Sequence, residues 1–110
     1  MGAAVWRVRD ASTFQELRRR GRRARGGGLA VTWLPGTGGN PVRVAYAIGR
    51  TVGTAVTRNR LRRRLRSIVA ELAPELRPGT YLISADPSAA TLDHGDLRRT
   101  LCMLLSELPG

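Results

Sequence analysis

Arginine dominates one short stretch of this 110-residue sequence, and the chemistry that it offers is phosphate binding. Six of the nine residues from 58 to 66 are arginine and none is acidic. Like charges one helical turn apart repel by roughly 0.2–0.5 kcal/mol, so this arrangement needs something to neutralise it. A guanidinium group is planar and binds phosphate through two parallel hydrogen bonds. The stretch therefore predicts a polyanion, and specifically a nucleic acid, as its partner.

An apolar stripe accompanies the arginines. Its members recur at helical spacing and are Leu61, Leu65, Ile68, Val69 and Leu72. A disordered basic tail has no such stripe. The stretch is therefore predicted to be a folded helix, with one face buried and a wide cationic arc in solvent.

On an ideal helix this cationic arc has two sides. One side carries Asn59, Arg62, Arg63 and Arg66, and the other carries Arg60 and Arg64. The helix could then touch two phosphate tracks, and its affinity should fall steeply with salt because binding releases counterions. Asn59 could either bond a base edge or hold a neighbouring arginine.

Two other interpretations of the basic helix remain open. It could be a solvated charged face, although the acidic partners that such a face needs are missing. It could also be a DNA recognition helix, although strands, and not a short helix and a tight turn, are predicted before it.

The whole chain is basic as well. Nineteen arginines and no lysine, against eight acidic residues, give a net charge of +11. The apolar fraction of 42% is ordinary for a globular protein, so we expect one domain over residues 1–110, with residues 1–10 as a flexible or extended arm. No apolar run approaches the ~20 residues of a membrane span, which predicts a cytoplasmic protein with no membrane partner.

Residues that could carry catalysis are sparse. The only histidine, His94, lies between Asp93 and Asp96 ahead of a predicted helix, where such residues usually serve as caps. The only cysteine, Cys102, excludes an intramolecular disulfide and a cysteine-based zinc site. We therefore expect a protein that binds and positions, without catalytic residues of its own.

Helices are predicted on both sides of the strands. Ser12 and Gln15 have the spacing of a capping box, so Ser12 is expected to open the first helix and Gly21 to end it. The basic helix is expected to begin at Thr54 or Thr57 and to end near residue 73. A last helix, capped by residue 91 or 93, follows.

Strands are predicted at residues 29–34, 42–48 and 80–85, with a short additional strand within residues 22–28. Turn residues crowd positions 35–41, so residues 29–34 and 42–48 are expected to pair as an antiparallel hairpin. Residues 80–85 carry no charge and are expected inside the sheet. The order α-β-β-β-α-β-α indicates an α+β fold, a small mixed sheet of about four strands covered by helices.

Residues 52–66 also resemble a known family. Their sequence, VGTAVTRNRLRRRLR, is similar to the signature of the bacterial RNase P protein subunit, an Arg-Asn-Arg core followed by further basic residues. Residues 13–21 resemble that family's first helix, and residues 81–85 its last strand. The likeness extends from about Arg7 to Leu108.

The resemblance implies a protein that works inside a ribonucleoprotein endonuclease. In that family the RNA subunit, with bound Mg²⁺, cleaves the 5′ leader from precursor tRNA and the protein supports it. The protein would hold no metal alone, and its partners would be the RNase P RNA and precursor tRNA, with no obligate protein partner. The family's β-α-β crossover is left-handed, against the usual preference.

Matching positions imply which residues face each RNA. The catalytic RNA would contact Arg58, Asn59, Arg60, Arg63 and Arg66, with Arg50 just before them, and charge and spacing add Arg62 and Arg64. The single-stranded leader would lie in a cleft between the first helix and the sheet. There Phe14 matches an aromatic on which a base could stack, although Phe14 could equally belong to the core.

The sequence departs from the family pattern at this cleft. Arg18 stands where many relatives carry a second aromatic, and Thr32 where a strand aromatic is common. Leader recognition is therefore expected to be weaker or built differently, through Trp33, Tyr46 or the arginines themselves. The alternative to the whole reading is a ribosomal or other structural RNA-binding protein without a role in cleavage.

Overall fold

A five-stranded sheet and three helices form the computed structural model, which describes residues 5–7, 11–36 and 42–108. In chain order the elements are β1 (Val5–Arg7), α1 (Ala11–Arg20), β2 (Arg22–Gly26), β3 (Leu29–Pro35), β4 (Val42–Ala47), α2 (Ala55–Leu72), β5 (Gly79–Ala85) and α3 (His94–Glu107). Short 3₁₀ turns lie at Arg50–Val52, Ala73–Glu75 and Pro87–Thr91. The predicted α+β class and element order are confirmed. The extra strand is β1, the described part of the N-terminal arm.

The strand order in the sheet is β1-β4-β5-β3-β2. β3 pairs antiparallel with β2 and β5, whereas β4 pairs parallel with β1 and β5. The predicted hairpin between β3 and β4 is therefore wrong, because β5 lies between these two strands. Parallel pairing of β4 with β5 requires a long crossover, which α2 supplies. The left-handed sense of that crossover stays a prediction of the resemblance.

Side chains on neighbouring positions of a strand point to opposite faces of the sheet, and the two faces here differ. One face, called the helix-packed face, carries Val31, Trp33, Val44, Tyr81 and Ile83, which pack with α2 and α3 in one apolar cluster. Burial of this apolar area is the main stabilising contribution to the fold. The uncharged β5 sits at the centre of the sheet, where it is hydrogen-bonded along both edges.

The opposite face, called the cleft face, carries mostly small or polar side chains on the central strands, with one leucine among them. They are Ala30, Thr32, Ala45, Leu82 and Ser84. α1 crosses this face near β3 and β5 and buries Leu17, which is 1% exposed. α1 begins at Ala11, one residue before the predicted cap Ser12, so the predicted start of this helix is one residue late.

Side-chain caps define the starts of the other two helices. The hydroxyl oxygen of Thr54 accepts a hydrogen bond from the Thr57 backbone N–H at 3.3 Å, which selects Thr54 from the two predicted caps of α2. A carboxylate oxygen of Asp93 accepts from the Asp96 backbone N–H at 2.8 Å and so caps α3. Among the described residues, no helix is long and apolar enough to cross a bilayer.

Replacing a buried leucine of α2 tests the packing of this helix on the sheet. Leu65 is fully buried, whereas Val56 on the same helix is 67% exposed. Leu65→Ala should lower the free energy of unfolding by about 2–5 kcal/mol because it leaves a cavity. Val56→Ala, the matched control, should change it by less than about 0.5 kcal/mol. Urea denaturation measures both, and equal effects would contradict the observed orientation of α2.

Candidate nucleic-acid interface

The first half of α2 displays the predicted cationic arc. Asn59, Arg60, Arg63 and Arg66 are exposed, whereas Arg58, Arg62 and Arg64 are half-buried beside the apolar stripe. The stripe itself is as predicted, since all five of its members are buried. Because the stripe holds the helix against the sheet, the arginines are carried on a rigid element and do not sit on a mobile tail.

Neighbouring side chains orient two of these arginines. Arg62 donates from Nη1 to the Asn59 side-chain oxygen at 3.0 Å. Asn59 therefore takes the second of its two predicted roles in this structure, holding an arginine. The Arg66 guanidinium lies over the ring of Tyr46, 5.8 Å from its centroid, at a distance where a cation–π attraction operates.

Arg64 and Arg58 are tied to the protein more closely than charge and spacing indicated. Arg64 donates from Nη1 to the backbone carbonyl of Leu92 at 3.3 Å, which links α2 to the segment before α3. Arg58 has its Nε atom buried with no hydrogen-bond partner among the described residues. Arg58 is thus partly enclosed by the protein, whereas Arg60 and Arg63 are exposed.

Arg60 and Arg63 are exposed, and neither guanidinium makes a hydrogen bond or an ion pair within the described part of the chain. The ion pairs of that part lie elsewhere. Glu71, near the other end of α2, accepts from Arg98 at 3.0 Å, and this hydrogen bond keeps the pKa of Glu71 below its ordinary value. The arginine-rich part of α2 therefore has no acidic partner among the described residues, whereas the other end of the helix has an ion pair.

Arg50 extends the basic surface in front of α2. It opens the 3₁₀ turn Arg50–Val52, which the buried side chain of Val52 anchors. Gly53 joins this turn to α2 with a φ of +154°, and a Cβ at this position would lie 3.0 Å from the Thr57 side chain. A glycine is thus needed for this tight connection between the turn that carries the exposed Arg50 and α2.

A cleft of about 240 Å³ separates α1 from the cleft face of the sheet. Its lining residues are Leu17, Arg18, Gly21, Arg23, Thr32, Leu82 and Ser84. Gly21 sets how closely α1 approaches the sheet, because a Cβ there would come within 2.5 Å of the Thr32 methyl group. The structure thus brings together Arg18 and Thr32, two of the four residues predicted for the leader cleft.

The other two predicted cleft residues do not line this cavity. Phe14 is half-buried one helical turn before Arg18 and lies outside the lining. Tyr46 is wrong as a cleft residue, because its position in β4 places it on the helix-packed face under Arg66. Trp33, the other suggested substitute, is 5% exposed on that same face. Alternate residues of a strand point to opposite faces of the sheet. The sequence alone did not reveal which of the two alternating sets faces α1.

Arg23 is the cleft residue that the sequence did not single out. It pairs with Thr32 across β2 and β3, so the two side chains lie next to each other on the cleft face. The period-2 alternation along β2 would have indicated Arg23 once the face of Thr32 was known. Within the described residues, no group of three His, Cys, Asp or Glu side chains is placed to hold a metal ion.

The contact of Arg64 with Leu92 predicts a difference between two arginines of the arc. Arg64→Ala should lower the free energy of unfolding by about 1 kcal/mol, because the mutation removes a partly buried hydrogen bond. Arg63→Ala removes the same charge from an exposed position and should change it by less than about 0.5 kcal/mol. Denaturation of the two free variants in the same buffer measures the difference. Indistinguishable stabilities would show that the Arg64 contact contributes nothing.

Known proteins are similar to this chain in both sequence and fold. The family model described as Ribonuclease P matches residues 3–109. The ribonuclease P protein component of Nocardioides sp. is 41% identical over 110 residues, covering 94% of this chain and 93% of the relative. The fold matches solved RNase P proteins from Staphylococcus aureus (TM-score 0.84, 17% identity, 92% and 93% of the two chains) and Thermotoga maritima (TM-score 0.82, 21% identity, 94% and 98%). The chain belongs to the ribonuclease P protein family.

Proposed function

We propose that this chain is the protein subunit of a ribonucleoprotein RNase P and supports the 5′ maturation of tRNA by a catalytic RNA. The observation that carries the proposal is the outer surface of α2, where six arginines face outward or sideways without an acidic partner in the described residues. A folded protein keeps such a surface at the expense of its own stability through charge repulsion. A phosphate backbone relieves that repulsion.

The catalytic RNA binds along α2 in this proposal. Arg60 and Arg63 contact phosphates most directly, since their guanidinium groups are exposed and make no contacts of their own. Arg62 is held by Asn59 and Arg66 by Tyr46, so both guanidinium groups are presented in restricted orientations. Such restriction favours binding because less side-chain entropy is lost when the complex forms.

The single-stranded leader of precursor tRNA lies in the cleft between α1 and the sheet in this proposal. The cleft is a separate surface from the arc, because α1 and α2 cover opposite faces of the sheet. One small protein can thus contact the catalytic RNA and the substrate together. The Mg²⁺ ions needed for hydrolysis are held mainly by the RNA, and the protein supplies neither a nucleophile nor a metal site.

Reconstitution tests the role in cleavage. We expect the purified protein to raise the rate at which its cognate RNase P RNA cleaves precursor tRNA at low Mg²⁺, where the RNA alone is weakly active. The protein without RNA should produce no cleavage. Cleavage by the RNA-free protein, or an absence of stimulation, would refute the proposal, and the second result would favour a structural RNA-binding role.

The salt dependence of RNA binding tests the role of α2. Arg60→Ala and Arg63→Ala should each reduce the slope of log affinity for RNase P RNA against log salt by about one unit, if each neutralises one phosphate. Arg99→Ala is the control, because Arg99 is an exposed arginine of α3 that has Asp96 as its own partner at 3.3 Å. Unchanged slopes for both α2 variants would place these arginines away from the RNA.

A further inference from the structure

The cleft under α1 offers an unusual set of side chains for holding a single strand. Arg18 and Arg23 are exposed at its rim, while Thr32 and Ser84 contribute hydroxyl groups to its half-buried floor. Leu17 supplies an apolar wall. No acidic side chain is found among the described lining residues, so the two guanidinium groups lack a competing carboxylate there.

These lining residues are arranged as a row across three strands. Arg23 in β2 pairs with Thr32 in β3, and Thr32 pairs with Leu82 in β5. Adjacent strands are about 4.8 Å apart, so the guanidinium of Arg23 approaches the floor from one side. Arg18 approaches from α1 above it. The row therefore places positive charge on two sides of a shallow, neutral floor.

No aromatic ring is among the residues that line this cavity in the described part of the chain. Trp33, Tyr46 and Tyr81 belong to the helix-packed face, on the other side of the sheet. Phe14 lies outside the lining. Proteins that hold single strands by their bases use aromatic rings as platforms, and the described walls of this cavity contain none.

We propose that this cleft holds the leader by its phosphates and not by its bases, with Arg18 and Arg23 as the two contacts. The leader is then bound with little regard to its sequence, and its contribution to affinity weakens steeply as salt increases. Thr32 and Ser84 can donate to the same phosphate oxygens. This inference rests on the proposed placement of the leader in the cleft.

Chemically altered leaders separate the two modes of binding. The holoenzyme, reconstituted with RNase P RNA, would be titrated with precursor tRNAs that carry no leader, an ordinary leader, an abasic leader or a leader with neutral methylphosphonate linkages. The quantity measured is the leader increment, the ratio of the dissociation constant without a leader to that with one. We expect the abasic leader to keep this increment within about threefold and the methylphosphonate leader to lose it.

Three variants complete the experiment. Arg18→Ala and Arg23→Ala should each reduce the slope of log increment against log salt by about 0.7, the value for one phosphate of a single strand. Arg22→Ala is the matched control, because Arg22 is the next residue of the same strand and its guanidinium lies toward Trp33 on the opposite face. Its slope should equal that of the wild-type protein.

Different outcomes would refute phosphate binding in the cleft and leader binding as part of the proposed function. Loss of each stacked base weakens binding by between about fivefold and about a hundredfold, so a drop of this size with the abasic leader would show base recognition and refute phosphate binding. Unchanged slopes in both Arg18→Ala and Arg23→Ala would refute it as well. An ordinary leader that gives no increment at all would instead remove leader binding from the proposed function.

Discussion

The apolar stripe of α2 lies between two groups of arginine, so the packing of one helix determines both the core and the charged surface. Leu61 and Leu65 are buried against the sheet, and this contact fixes the rotation of the helix about its axis. The rotation in turn decides that Arg60 and Arg63 are exposed while Arg58 and Arg64 lie against the protein. Hydrophobic burial of the leucines and electrostatic repulsion among the arginines therefore act on the same helix, and the first must outweigh the second for the helix to stay in place.

The sheet separates the basic surface of α2 from the cleft under α1. α2 and α3 bury the apolar side chains of the helix-packed face, whereas α1 covers only part of the cleft face. The cleft face can remain open because its mostly small or polar residues bury less apolar area than those of the helix-packed face. Gly21 lets α1 come close enough to form a wall without filling the space. The result is a core on one side of the sheet and a groove on the other.

Local patterns in the sequence predicted the helices well and the pairing of the strands poorly. The stripe of α2 and its cap are determined by residues close in the chain, so spacing revealed the stripe and narrowed the cap to Thr54 or Thr57. The pairing of β3 with β5 joins residues about fifty positions apart, and the turn residues between β3 and β4 gave no sign of it. The error at Tyr46 has the same origin, because the face of a strand residue depends on partners that the sequence does not identify. The resemblance assigned the arginine helix to the catalytic RNA but could not correct this parity.

The central position of β5 has a consequence for the order in which the molecule can assemble. This strand is the last of the five in the chain, yet it joins β4 to β3. Until the ribosome has released it, the sheet remains two unconnected parts, with α2 already synthesised and its leucine stripe uncovered. The fold is thus dominated by contacts between distant residues, a property associated with slow folding. The arginines of α2 are therefore synthesised before the sheet that will hold this helix is complete.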